Sequence, residues 1–254
     1  MKSDERPASE KDGKIRIGKL LARAGLVSRR GAAEFLETHQ VNFDGKRVND
    51  LNFYVDESEL AEHSLTVDGK KISFGAVSEV LLFNKPRGLV CSHKHQKERG
   101  KELRTIFDAL PREYAAWFFA GRLDVNSEGL MVLSNDGDHI YALSHPSQRV
   151  LKKYRVQTTR PLSPAEITRC LKGVIDKGEK LKFEKMEPGK MPAEYEVWLR
   201  EGKNREIRRL IERLGVFIRK LTRLELGPYQ LGELPSGAYQ LVSKIDPHQP
   251  NTAF

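Results

Sequence analysis

The sequence has only two cysteines, Cys91 and Cys170. That is too few for a disulfide-stapled framework, and a reducing cytoplasmic setting is expected. Long apolar runs are also missing: nothing approaches the roughly 18 residues that a bilayer-crossing helix needs. The longest apolar cluster, residues 115–120, reads as buried core. The N-terminus is charged from Lys2 onward and lacks the apolar centre of a secretory leader. Neither a Walker-type phosphate loop nor a G-x-G-x-x-G fingerprint occurs, so no nucleotide cofactor is expected. Acidic residues are in deficit, 35 against 44 Lys plus Arg, for a net charge of +9 over 254 residues. A cationic excess of this size favours a polyanionic partner, because cations seated on phosphates release condensed counterions.

Residues 1–13 mix charged residues, Ser and Pro with almost nothing apolar and read as a disordered tail. Ile17, Leu20, Leu21 and Ala24 then recur at helical spacing, with Gly25 placed to end the helix. Ser28 is a candidate N-cap for a second helix that buries Ala32, Phe35 and Leu36. Asp44-Gly45 and Asp68-Gly69 between apolar residues are hairpin signals. Residues 14–74 thus form a small unit of two helices and short strands, rich in exposed cations such as Arg29, Arg30, Lys46 and Arg47. Such a basic surface suits the phosphates of structured RNA, which is read mainly by shape and backbone.

A linker near 75–79 leads to a larger unit, 80–246, with a short tail at 247–254. Val80 to Phe83 reads as a buried strand, as do Leu130 to Leu133, while Tyr154, Val156 and Thr158 alternate with polar neighbours. Ser163-Pro164 opens a helix, Tyr195, Val197 and Leu199 mark a strand, 204–214 is a basic helix, and 217–226 is strand-like. Strands outnumber helices, so the expected fold is α+β, with a mixed, mostly antiparallel sheet in the larger unit.

Three segments can carry chemistry. N-K-P-R-G at 84–88 is a turn directly after a strand. G-R-L-D-V-N-S-E-G-L at 121–130 sets Asp124 on a glycine-bounded loop just before an apolar strand, followed by an N-D-G turn at 135–137. In G-K-N-R-E-I-R-R-L at 202–210, Ile207 and Leu210 face a core while Arg205, Arg208 and Arg209 can line a cleft. On residue types alone, a loop carboxylate such as Asp124 is more often a cap or turn residue than a catalytic one. With Glu128, Asp136 and Asp138 it could also hold Mg²⁺ in a nuclease. Cys91, His93 and His95 lack the second ligand pair of a zinc finger. The basic run Arg213, Arg219, Lys220 and Arg223 reads either as an RNA track or as a solvated face.

The order of the motifs decides among these readings. The stretch from Ile15 through Val48 resembles an S4-type RNA-binding domain. The G-R-L-D-x-x-[ST]-x-G-L segment resembles the active-site motif of the pseudouridine synthases, in particular the bacterial ribosomal RNA enzymes that carry an S4 domain. N-K-P-x-G, K-K-Y-x-V at 152–156 and the 202–209 segment match further motifs of that branch, in order.

The resemblance implies Asp124 as the catalytic aspartate, Tyr154 as the tyrosine stacking on the target base, and Arg208 as the basic partner of the aspartate. Arg122, Lys85, Arg29, Arg30, Lys46, Arg205 and Arg209 are implied as RNA contacts, with no metal site and no cofactor. It further implies a ribosomal RNA partner, of the large subunit by the resemblance of L-G-P-Y-Q-L-G-E-L at 226–234, in a monomeric cytoplasmic enzyme. A non-catalytic S4-type assembly factor is the alternative. Two positions depart from the commonest pattern: Glu206 stands where Gln is usual, and Ser127 where Thr is frequent.

Overall fold

The computed structural model describes residues 14–27, 31–56, 60, 62–72, 79–98 and 100–247. The chain divides into two compact units, Met1–Ser78 and Glu79–Phe254.

The first unit runs β1 (Lys14–Arg16), α1 (Ile17–Arg23), α2 (Ala32–Thr38), β2 (Val41–Phe43), β3 (Lys46–Arg47), β4 (Tyr54–Asp56), β5 (Leu65–Val67) and β6 (Lys70–Ile72). Its core gathers Ile17, Leu20 and Leu21 of α1, Leu36 of α2, and Val41, Phe43 and Leu65 of the sheet. Strands pair in the order β3-β2-β5-β6, with β1 and β4 paired separately. The two Asp-Gly pairs form the hairpin turns, with Asp44 at φ 47° and Asp68 at φ 50°. The N-cap of α2 is Gly31, and Ser28 lies outside the described residues.

The second unit is built on one nine-stranded sheet. Its strands begin with β7 (Val80–Lys85), the hairpin β8 (Gln96–Glu98) and β9 (Lys101–Leu103), β10 (Phe118–Phe119) and β11 (Glu128–Ser134). α3 (Gly137–Ser144), β12 (Lys152–Thr158), α4 (Pro164–Lys172), and the hairpin β13 (Val174–Asp176) and β14 (Glu179–Leu181) follow. The chain ends with β15 (Lys185–Pro188), β16 (Glu194–Leu199), α5 (Glu206–Glu212), β17 (Ile218–Leu226), β18 (Tyr229–Gln230) and β19 (Tyr239–Val242). The main path is β15-β16-β12-β17-β11-β7-β19, antiparallel throughout except where β11 meets β17.

Why some strands are continuous apolar runs and others alternate follows from what covers them. In β7 and β11, Leu81, Phe83, Met131 and Leu133 join the core on one face, and Val80, Leu82, Leu130 and Val132 join that on the other. β12 is covered on one side only. Tyr154 and Val156 are buried, while Lys153 and Arg155 on the opposite face pair with Glu196 of β16.

Two local expectations change. N-D-G at 135–137 is a helix start rather than a turn: the Asp136 carboxylate accepts from the backbone N–H of Asp138 and His139 and caps α3. The basic helix begins at Glu206, not 204, because Arg205 holds φ 49° and cannot continue a right-handed turn. Among the described residues no helix is long and apolar enough to cross a membrane.

Candidate active site

The face of the sheet bearing Tyr154 carries the loop 121–127. Four neighbouring strands set its floor: Lys85 ends β7 opposite Gly129 of β11, and Tyr154 of β12 lies opposite Arg223 of β17. A register shift between Lys153 and Tyr154 places a bulge at that point, a device that re-aims side chains beside functional sites. Gly129 is required where the loop enters β11. Its φ is +103°, and a Cβ there would sit 2.7 Å from the Arg223 amide nitrogen and closer still to its carbonyl oxygen.

The loop is pinned from several sides. Lys85 Nζ donates to the carbonyl oxygens of Ser127 (2.7 Å), Pro86 (3.1 Å) and Asp124 (3.2 Å). Arg208 Nη2 donates to Asn126 O (3.0 Å) and Ser127 Oγ (3.2 Å). The Gly88 N–H donates to Val125 O, and the Ser127 N–H closes a turn onto Asp124 O. Cys91 Sγ lies 3.4 Å from both the nitrogen and the oxygen of Leu123. The result is a rigid loop that holds up one carboxylate, that of Asp124, with its side chain 36% exposed.

Arg208 Nε stands 3.7 Å from Asp124 Oδ2. This is within ion-pair range but too long for a hydrogen bond, and the buried Nε has no other acceptor among the described residues. The carboxylate therefore has a cation beside it and unspent acceptor capacity facing the cleft. Burial lowers the Arg208 pKa, with the Asp124 charge opposing that shift. Burial likewise lowers that of Lys85, and raises those of Cys91 and Glu206.

Asp124 opens onto a cleft of about 410 Å³ lined by Gln96, Arg122, Asn126, Lys203, Asn204 and Arg205. A smaller recess of about 90 Å³ joins Asp124 to Tyr154, Leu221, Glu206 and Arg208. Glu206 is buried, and its carboxylate accepts the Lys203 N–H at 3.0 Å while its own N–H donates to Lys203 O. That reciprocal pair fixes the 203–206 turn and presents Asn204 and Arg205 at the cleft.

The structure thus brings together Asp124, Tyr154, Arg208, Arg122 and Arg205. It changes the place of other candidates. Lys85, expected to meet RNA, is wholly buried and spends its donors on the loop carbonyls. Arg209 is bound to Asp176 and Glu179, both at 2.6 Å, so its charge is committed within the protein.

Lys46 lies exposed in the first unit, whereas Arg29 and Arg30 fall outside the described residues. Of the basic run, Arg223 is buried on Leu130 O, Arg213 pairs with Asp176, and Lys220 pairs with Glu128. Two of the four carboxylates suggested for Mg²⁺ are otherwise engaged: Glu128 holds Lys220, and Asp136 holds Lys244 as well as capping α3. Among the described residues no group of three His, Cys, Asp or Glu side chains could hold a metal ion. Cys91, weighed in the sequence only as a metal ligand, pins the loop instead, and Asn126 and Lys203, which lie inside the quoted motifs with no role assigned, line the cleft.

Comparison with known proteins places this arrangement. The relative from Pseudomonas aeruginosa called ribosomal large subunit pseudouridine synthase B is 34% identical over 235 residues, covering 89% of this chain and 58% of its own. A relative of the same name from Escherichia coli O6:H1 is 34% identical, covering 88% of this chain and 78% of its own. The chain thus spans little more than half the length of the Pseudomonas relative. A crystal structure of a pseudouridylate synthase shares the fold, with a TM-score of 0.59 at 23% identity over 90% of this chain and 96% of that one. Residues 79–213 match the RNA pseudouridylate synthase family, and with these relatives that match makes the chain a member of it.

Proposed function

We propose that this protein converts a uridine of ribosomal RNA, in the large subunit, to pseudouridine, with Asp124 as the reacting carboxylate. The observation that carries this reading is the geometry around Asp124: a carboxylate on a braced loop, 3.7 Å from a buried guanidinium, at the mouth of a recess walled by Tyr154. The target base cannot react inside a helical stack, so it must be extruded, and an aromatic face such as Tyr154 can hold it. The N1–C1′ bond breaks, the base turns, C5–C1′ forms, and the proton on C5 is lost while N1 gains one. Nothing is oxidised or reduced, and no group leaves the RNA, so no cofactor is called for.

Asp124 serves as the nucleophile or base that drives glycosidic cleavage. Arg208 orients it and balances its charge, and a preorganised cation of this kind acts without reorganising during the reaction. Arg122 and Arg205 supply cations at the cleft for the flipped nucleotide's phosphates. The first unit serves as an S4-like RNA-binding module, with Lys46 and Arg47 among its exposed cations. The names of the relatives favour the large subunit, and the proposed setting is a monomeric enzyme of the cytoplasm that acts during ribosome maturation.

The test incubates purified protein with unmodified large- and small-subunit rRNA transcripts and maps pseudouridine chemically at nucleotide resolution. A discrete modified uridine in large-subunit RNA is expected. Modification confined to small-subunit RNA would reassign the substrate, and no pseudouridine in either would overturn the reading.

A further inference from the structure

The hairpin of β13 and β14 has no task in the chemistry above, yet its composition is unusual. Its turn, Lys177-Gly178, holds φ 52° and 79°. The hairpin turns of the first unit hold nearly the same angles, 47° and 75° at Asp44-Gly45, and 50° and 78° at Asp68-Gly69. A left-handed residue at this position is favourably Asn, Asp or Gly. The two other turns use Asp, and this one strains a lysine into place at the tip.

The cation at the tip is not alone. Lys180, opposite the exposed Ile175, is followed just past the end of β14 by the exposed Lys182. Gly173 is pinched between them: a Cβ there would meet Lys180 Cε at 2.8 Å and Lys182 Cβ at 3.2 Å. Lys172 directly precedes that glycine at the end of α4. Lys172, Lys177 and Lys180 are all exposed, and none has an acidic partner among the described residues. The nearby acids are already taken: Asp176 and Glu179 hold Arg209 and Arg213, and Glu184 holds Lys182.

The patch is tied to the cleft. Lys203, which lines the cleft beside Asp124, donates its Nζ to Lys180 O at 2.8 Å. We propose that Lys172, Lys177 and Lys180 form a phosphate-binding track that grips the RNA helix flanking the target nucleotide as it leaves the Asp124 cleft. The occupant is argued from charge: unpaired, solvent-exposed ammonium groups on a rigid hairpin match a polyphosphate backbone, and Ile175 among them offers an aliphatic contact for riboses. The identity of that RNA rests on the proposed function.

The test uses the full chain and two RNAs, a minimal stem-loop presenting only the target nucleotide and a fragment extended by its flanking helix. The triple variant Lys172→Gln/Lys177→Gln/Lys180→Gln is compared with Lys177→Asn, which suits the left-handed turn and so leaves no folding objection. Each phosphate contact contributes about 0.7–0.9 to the slope of log affinity against log salt. For the extended RNA the triple variant should lower that slope by about 2 and cut kcat/KM roughly tenfold or more near physiological salt, with kcat unchanged. Lys177→Asn should lower the slope by a little under 1, and the stem-loop should respond to neither variant. An unchanged slope on the extended RNA overturns the proposal, and so does an equal loss on both RNAs. If the variants lower the slope on the extended RNA as expected but the wild type makes no pseudouridine, the isomerase reading falls and the track stands. If it isomerises while the slopes of wild type and variants agree, only the track falls.

Discussion

Lys85→Met removes a buried ammonium without emptying its space. Lys85 is fully buried at the end of β7, and its three donors meet the carbonyl oxygens of Pro86, Asp124 and Ser127. Bonds to a charged donor contribute about 1.5–3 kcal/mol each, and an orphaned buried carbonyl costs about 1–3 kcal/mol. Against that loss stands relief from burying the ammonium, itself worth several kcal/mol. That burial is the leading cause lowering the Lys85 pKa. The balance is a destabilisation of about 2–4 kcal/mol, below the range of about 3–5 for breaking a buried ion pair.

Because two of the three carbonyls belong to the loop carrying Asp124, catalysis should suffer separately. A displacement of about 1 Å at a reacting group costs on the order of 10²-fold. Urea unfolding followed by circular dichroism gives the stability, and single-turnover isomerisation gives the rate. The expected result is a loss in both, with RNA affinity within about threefold of the wild type, since Lys85 reaches no solvent. Wild-type stability and turnover in Lys85→Met would refute the view that this lysine braces the loop. Intact folding with a large loss of RNA affinity would instead return it to the RNA contacts.

Gly129→Ala places a methyl group against the Arg223 backbone at φ +103° and should destabilise by about 3 kcal/mol or more, measurable by thermal unfolding. Glu206→Gln keeps the oxygen that accepts the Lys203 N–H while removing a buried carboxyl, so activity at neutral pH should persist. Burial raises the Glu206 pKa above its usual 4.5, so the folded state holds that proton longer than the unfolded chain. Wild-type stability must then fall as pH rises from about 4.5 through the raised value. The Gln variant should lack that fall, and parallel urea titrations from pH 4 upward that fail to diverge would contradict it. Arg208→Lys, which cannot serve both Asn126 O and Ser127 Oγ while facing Asp124, should lower kcat by about 10²-fold or more with little change in RNA affinity.

Much of the sheet was legible because burial writes itself into periodicity. The continuous runs of β7 and β11 announced strands covered on both faces, and the alternation of β12 announced one covered on a single face. The destination of charges was not legible. Arg209 and Lys85 sit in basic motifs and look like phosphate contacts, yet their partners lie about 30 and 40 residues away in sequence, brought close only by the fold. Asp136 shows a different limit, since an N-D-G sequence suits a turn and a helix cap equally, and the choice belongs to the helix that follows. Around the site, motif order pointed to Asp124, Tyr154 and Arg208, whereas the grip of Cys91 on Leu123 depends on packing that no motif encodes.

The central claim is that Asp124 is the reacting carboxylate of an RNA uridine isomerase. Asp124→Asn keeps the size and shape of the side chain while removing its charge and turning one accepting oxygen into a donating amide, and the pinning of the loop runs through backbone oxygens that the substitution leaves in place. The direct test measures RNA affinity and pseudouridine formation for this variant beside the wild type on the same ribosomal RNA fragment. The account predicts affinity within about threefold and no detectable pseudouridine. Substantial turnover by Asp124→Asn would contradict it.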